Sequence, residues 1–387
     1  MRSFPGLIGL CLLWATPGAV AAEPPLAALT LVGAPQVIFD TKRDACDDKD
    51  QPDAPLRLFR NADGKLVGFG LHYVNRALRG DSLGSLKIDC RVVLDSGSRG
   101  DPAAYDDKTW ITATWTEDGS RVAAFLHHEF HAQAHPGRCR FPDYMRCWFN
   151  TILQASSDDG GASFPHPKVP QVVASAPFGQ EVGQGRHRGF FNPSNIVANG
   201  RHRYVFAATT GWEGQPSGAC LLRSDDPFDP ASWRAFDGAA FTIRYPDPYR
   251  TKDAKVAPCR TIEPFPAPVG SVTRHRGTGA WIAVFQASAD GERFPQAGFY
   301  ATSSRDLLTW DKPRLLLAGP TLYDDPCRSG ERLIAYPSLI DEETKGRNFD
   351  DVGDQAWLTY VTLTVKGCEI TADRTLLRRR VALRVWP

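Results

Sequence analysis

The chain is expected to fold as an all-β protein, a five-bladed β-propeller of four-stranded antiparallel blades. Three observations lead there. Long helical periodicity is nearly absent, and short apolar or alternating runs recur between clusters of Gly, Pro, Asp and Asn, the pattern of strands joined by turns. The 387 residues include 34 glycines and 30 prolines, which suits many turns. Finally, an Asp/Gly or Asn/Gly turn leading into an apolar strand returns five times, at 61–70, 117–126, 199–207, 277–285 and 353–361. The spacing, roughly 55 to 80 residues, leaves room in each unit for a four-stranded sheet with its loops. One propeller sheet cannot bury its own apolar faces, so the repeat has to run on without a linker. Residues 23–387 therefore read as a single domain.

The N-terminus reads as a secretory signal over residues 1–22. Arg2 is the charged start, Leu7 to Trp14 the apolar run, and Ala19, Val20 and Ala21 the small residues before a cut near Ala21/Ala22. The apolar run is too short to span a bilayer, and no later stretch approaches that length. An exported protein, periplasmic or extracellular, with no membrane partner is the expectation. Of nine cysteines Cys11 lies in the signal, leaving eight, an even number that suggests disulfides in an oxidising compartment. The simplest pairing is sequential: Cys46–Cys90, Cys139–Cys147, Cys220–Cys259 and Cys327–Cys368. The formal net charge is +1, from 45 basic and 44 acidic residues, which argues against nucleic acid as a partner. A monomer is expected.

The richest stretch is 123–164. A strand, Val122 to His131, ends in His127, His128, Glu129 and His131; a loop between Cys139 and Cys147 follows, then a strand from Trp148 to Ala155. The stretch closes on Ser157, Asp159, Gly161 and Phe164, spaced as Ser-x-Asp-x-Gly-x-x-Phe. Related turns stand at Ser304, Asp306 and Trp310, and in longer form at Ser224, Asp226 and Trp233. In such a turn the Asp carboxylate accepts from backbone N–H groups, Gly takes the unusual dihedral, and the aromatic packs beneath.

The first of these turns resembles the Asp-box of sialidases, and the second resembles the Ser-x-Asp-Leu-x-x-Trp turn of arabinanase- and xylosidase-type propellers. As a pattern of short motifs, 35–387 resembles the glycoside-hydrolase-like five-bladed propellers. The resemblance implies that these turns are structural and lie away from the active face. It also implies that site residues stand on the innermost strand of each blade, just before the Gly turn: 52–60, 110–115, 191–197, about 267–273 and 335–341. Asp53 is the best match to the blade-one aspartate that serves as general base in the arabinanase type. The match is Asp-Ala-Pro rather than Asp-Pro, and the middle-blade glutamate of those families has no clear counterpart near Asn192. Of the sialidase arginine triad only Arg57 is placed, and no Arg-Ile-Pro motif occurs.

In a strand, His127, Glu129 and His131 share one face. A carboxyl crowded by apolar neighbours and imidazoles is a candidate general acid with a shifted pKa. Glycoside hydrolysis needs two carboxyl groups, and Glu129 as acid with Asp53 as base is the expected pair. The bland alternative is a hydrogen-bonded network at the strand end. His72, Asn75 and Arg76 end a corresponding strand of the first unit and are expected to contact ligand. Arg57, Arg60, His128, His131, Asn192, Asn195, Tyr336 and Asp341 complete the expected substrate-binding set, and Tyr144, Trp148 and Trp212 are aromatics able to stack on sugar. No cofactor and no metal is expected, because there is no CxxC pair and 128–131 is not HExxH. No Gly-x-Ser-x-Gly elbow occurs, and the Gly-rich run 183–189 lacks the strand–helix context of a phosphate loop.

The function expected is that of a secreted carbohydrate-active protein whose partner is a carbohydrate or glycoconjugate, with glycoside hydrolysis favoured. A non-catalytic glycan- or protein-binding propeller is the alternative. A sialidase and a metal-dependent hydrolase stand behind both.

Overall fold

A computed structural model of the chain describes residues 26–251 and 255–386; the expected signal, 1–22, lies outside the described residues. The molecule is all-β. Its one α-helix among the described residues is the single turn Thr41–Asp44, capped by the Asp40 carboxylate. The strands form antiparallel meanders. Arg57–Arg60, Leu66–Phe69, Arg76–Gly80 and Lys87–Val92 make a four-stranded sheet. Val269–His275, Trp281–Ala287, Gly298–Ser304 and Arg314–Ala318 make a second meander, extended by the short strand Asp351–Val352. A ten-stranded sheet contains two meanders: one begins Lys108–Thr116, Val122–His131, Trp148–Ser157, and the other runs His202–Thr209, Gly218–Ser224, Arg234–Phe236, Phe241–Ile243. They meet where Arg188–Phe191 lies parallel to Trp148–Ser157 and antiparallel to His202–Thr209. Gly189 makes that junction feasible. Its φ is +115°, and a Cβ there would fall 2.0 Å from the Asn150 carbonyl oxygen, so no other residue fits.

The remaining sheet joins the chain ends. Ala27–Asp40 is its outer strand, paired antiparallel with Glu369–Val385 from Ala27↔Val385 to Asp40↔Thr375; Gln355–Lys366 and Arg332–Ile340 complete it. The N-terminal strand escapes the repeat pattern of the sequence because it has no Gly turn before it.

Five larger apolar clusters lie between consecutive meanders. Phe59 and Val67 pack with Leu126 and Leu153; Phe125 and Ile152 with Val205 and Leu222; Phe206 and Leu221 with Trp281 and Phe285. Val284 and Phe299 then meet Leu358 and Val381, and Leu333 and Val361 meet Leu58 and Leu66. Each sheet thus buries its two faces against different neighbours, which is how strands apolar on both sides are accommodated.

All four sequential disulfides are present. The polar turns are built alike. Ser157 Oγ accepts from Gly161 N at 2.9 Å and Asp159 Oδ1 from Ala162 N and Ser163 N, each at 2.9 Å; Ser304 Oγ and Asp306 Oδ1 serve Leu307, Leu308 and Thr309 in the same way. Burial disfavours the Asp159 charge, but the hydrogen bonds from Ser157, Ser163 and the turn backbone prevail and hold its pKa at about 2.

Two expected inner strands need correction. The first begins at Arg57, not at residue 52, and Asp53 precedes it in a loop whose backbone N donates to Gly70 O at 2.9 Å. The third is broken: Asn192 has φ +41° and Pro193 lacks an N–H, so the chain leaves the sheet between Phe191 and Val197.

Candidate functional site

Strand Val122–His131 delivers alternate side chains to opposite faces. His128 and Phe130 turn into packing. His128 is fully buried with its ring edge-on to Tyr105 at 5.6 Å, and burial lowers its pKa to about 3. His127, Glu129 and His131 point the other way and form one unit. Glu129 Oε1 is 2.7 Å from His127 Nε2, and Oε2 is 2.6 Å from His131 Nε2. The backbone N–H of Asn192 donates to His127 Nδ1 at 3.2 Å. His127 Nδ1 is therefore a lone pair, and Nε2 carries the proton given to Glu129. Burial pushes the Glu129 pKa up, but the bonds and charges of His127 and His131 outweigh it and hold the carboxyl well below its ordinary value. The shift expected for this carboxyl is downward, which is unlike a general acid: Glu129 is ionised because both oxygens accept hydrogen bonds.

Aromatic rings wall this unit. Tyr144 stacks on His131 at 5.5 Å with planes 17° apart, and His187 stacks on Trp148 at 3.9 Å. Tyr144 belongs to the loop closed by Cys139–Cys147 and is 44% exposed, so it presents an open ring edge and face. Burial keeps His187 neutral, its pKa down at about 3.

A second unit surrounds Asp53. The Arg374 guanidinium bonds Asp53 Oδ1, the Tyr336 hydroxyl donates to the same oxygen at 3.1 Å, and His72 Nε2 stands 3.5 Å from Oδ2. Tyr336 is held there by backbone at φ +60° and by its N–H, which donates to Gln286 Oε1 at 2.9 Å. Gly270 allows the close approach behind it, since a Cβ at that position would lie 2.2 Å from Pro337 O. Burial, then the Asp53 charge, raises the Tyr336 hydroxyl well above its ordinary pKa, so it stays a donor. Burial lowers the His72 pKa, with the Asp53 charge opposing.

The two units are neighbours. His72 meets Trp110 edge-on at 5.4 Å, and Trp110 meets His127 at 5.6 Å. Tyr144 feels both carboxylates: burial first, then Glu129 and, more weakly, Asp53 raise its phenol pKa.

Of the expected site residues, Asp53, His72, Glu129, His131, Asn192 and Tyr336 are brought together. The others are committed to protein partners. Arg57 is buried; its Nε donates to Thr112 O at 2.7 Å and its Nη atoms to Ser338 Oγ and Pro193 O, each at 3.3 Å. It bolts three inner segments together, and burial lowers its pKa to about 9. Arg60 donates to Glu342 O at 2.9 Å and covers the Phe349 ring. Asn75 Oδ1 accepts from Ile111 N at 2.8 Å while Nδ2 donates to Thr109 O at 2.7 Å. Arg76 pairs with Asp47 and Asp50. Asn195 clasps the Val272 backbone through both amide atoms, each at 2.8 Å, and Asp341 pairs with Arg276 at 2.8 Å. Arg374, His187, Gln286 and Tyr323 were not anticipated. Arg374 is one of several arginines on the last strand, and nothing local distinguishes it. Among the described residues no group of three or more His, Cys, Asp or Glu side chains is disposed to hold a metal ion; His127 and His131 both direct Nε2 at Glu129.

No family model matches the chain, and neither does any curated protein. Solved structures do. Zg3597, a family 117 glycoside hydrolase from the marine bacterium Zobellia galactanivorans, is 11% identical with a TM-score of 0.50, over 92% of this chain and 90% of that one. BT0996, solved as a complex with RGII, is 12% identical with a TM-score of 0.50, over 89% of this chain and 91% of that one. The neighbours are five-bladed β-propeller glycoside hydrolases, and at these identities the likeness is one of fold.

Proposed function

We propose that the chain is an exported glycoside hydrolase, a single five-bladed propeller of residues 23–387 with its site over Asp53 and Glu129. The blade count takes the ten-stranded sheet as two blades joined at Gly189, and the five successive apolar cores support it. Export is supported by four disulfides and by the N-terminal sequence pattern.

The observation that carries the catalytic reading is the adjacency of a carboxylate with its own donors, Asp53, to a carboxylate–imidazole unit, within aromatic walls. Asp53 is the general base. Glu129 is ionised, so the proton donor is an imidazole it orients. Both nitrogens of His127 are engaged, whereas His131 has Nε2 on Glu129 and no partner for Nδ1 among the described residues. His131, acting through Nδ1, is the acid, and Glu129 is a positioning residue, the arrangement by which a carboxylate aims a catalytic histidine. Aryl glycosides and polysaccharides of varied linkage test this. Asp53→Asn is expected to lower kcat by at least about a hundredfold with folding intact; an undiminished rate on the preferred substrate removes Asp53 from the mechanism.

A second reading is glycan binding without turnover. It is favoured by the ion pair that Arg374 already makes with Asp53. Saturable binding with no product from any member of the panel would select it.

A further inference from the structure

The guanidinium of Arg57 takes no part in the site over Asp53 and Glu129. It is 3% exposed and stands where inner segments of separate meanders meet: Thr112 in Lys108–Thr116, Pro193 in the break after Arg188–Phe191, and Ser338 in Arg332–Ile340. A guanidinium keeps its charge at neutral pH, and a buried charge needs a counter-charge. Arg374 has Asp53. Arg57 has none: its partners are two carbonyl oxygens and a hydroxyl. Burial alone accounts for its lowered pKa, with no carboxylate near enough to oppose it.

Hydrogen bonding of Arg57 is incomplete as well. Only the bond from Nε, 2.7 Å, is of ordinary length; those from the Nη atoms are 3.3 Å, beyond the usual range. A guanidinium has more N–H groups than these bonds use, so donors are left over. A cavity of about 10 Å³ adjoins them, and its polar lining is Arg57, Thr114, Asn195, Ser338 and Asn348. That is room for one particle about the size of a water molecule. Asn195 and Asn348 are spent on the Val272 and Thr116 backbones. Ser338 Oγ accepts from Arg57, so its own hydrogen remains to be given, and Thr114 adds a second hydroxyl. No acidic side chain lines the cavity. Asn195 and Asn348 are its half-buried members and mark the side nearest solvent.

We infer that this cavity holds one small inorganic anion, a halide of the size of chloride, as the counter-ion of Arg57. Lodged between segments of separate meanders, it neutralises the buried charge and takes up the spare donors. Polyatomic anions are too large for the space. Neither Asp53 nor Glu129 lines it, so the site goes beyond the hydrolase reading and stands or falls independently of it.

Scanning calorimetry of the full-length protein at constant ionic strength, with chloride replacing gluconate, tests it. The wild-type Tm should rise saturably, by about 2–4 °C. In Arg57→Met the rise should vanish, and the fold should survive because cation and anion are lost together. In Ser338→Ala, which keeps the charge, the chloride concentration giving half the rise should increase by about tenfold. Crystals grown in bromide should show an anomalous peak in contact with the Arg57 guanidinium. An equal Tm in chloride and gluconate, or an undiminished rise in Arg57→Met, overturns the site. If Arg57→Met does not fold, a wild-type chloride midpoint in Ser338→Ala overturns it, as does a cavity that in bromide contains only water.

Discussion

Glu129 lies between two imidazoles and owes its charge to them. Because its folded pKa is depressed, the stabilisation it contributes is complete above the ordinary carboxyl value of 4.5 and is lost as pH falls below it. Glu129→Gln keeps the shape but removes the charge. Chemical denaturation across pH 3 to 7 should show a wild type that weakens on the acid side, and a variant less stable by about 2 kcal/mol at pH 7 with a flatter acid limb. Parallel acid limbs would mean that the carboxylate contributes no linkage. The residue also shows what one dimension conveys. The period of two puts His127, Glu129 and His131 together, and that was legible. Whether the carboxyl would be protonated was not, because it depends on Asn192 N fixing one imidazole and on how completely both oxygens are bonded. Arg374 was invisible for a plainer reason: its partner Asp53 is 321 residues away.

At the scale of elements, Val122–His131 and Trp148–Ser157 form a hairpin whose two ends do different work. Val122 pairs with Ser157 at the end that carries the polar turn, and His131 pairs with Trp148 at the end that carries the site. Ten residues of strand, about 30 Å, separate them. Across the site end the Cys139–Cys147 loop holds Tyr144 over His131, with Asp143 capping the turn through Met145 N at 2.9 Å. Cys139→Ser with Cys147→Ser should leave the rest of the molecule folded while loosening this loop, since a short closure restrains the chain by about 2–3 kcal/mol. Hydrogen exchange read by mass spectrometry is expected to speed up in 139–147 and little elsewhere. Unchanged exchange there would mean that the stacking of Tyr144 holds without the bridge. Strand ends, turn residues and cysteine pairs of this kind were legible because their determinants are local. The break at Asn192 was less so, because its partners lie far along the chain: the Asn192 N–H donates to His127 Nδ1, and Asn195 clasps the Val272 backbone.

For the whole molecule, closure depends on the N-terminal strand. Phe39 is 1% exposed and packs with Leu333, Leu363 and Leu376, so it joins the first described strand to the last sheet. Phe39→Ala should cost about 3–5 kcal/mol. With every sheet buried against two neighbours, unfolding should stay a single cooperative transition at lower temperature in scanning calorimetry. A separate early transition with the remainder unperturbed would mean that the terminal sheet folds independently of the rest.

Local pattern was enough for the all-β class, the repeat, the sequential disulfides and the strand that bears Glu129. Each follows from periodicity, turn chemistry or spacing within a few dozen residues. Which candidates meet was settled only by packing in three dimensions. It brought Asp53, Tyr336 and Arg374 together from opposite ends of the chain, and turned Arg57, Asn75 and Asn195 inward as braces. Side chains become a site when separate strands converge on one rim, and that convergence is set by how the sheets pack on one another, which no local pattern encodes.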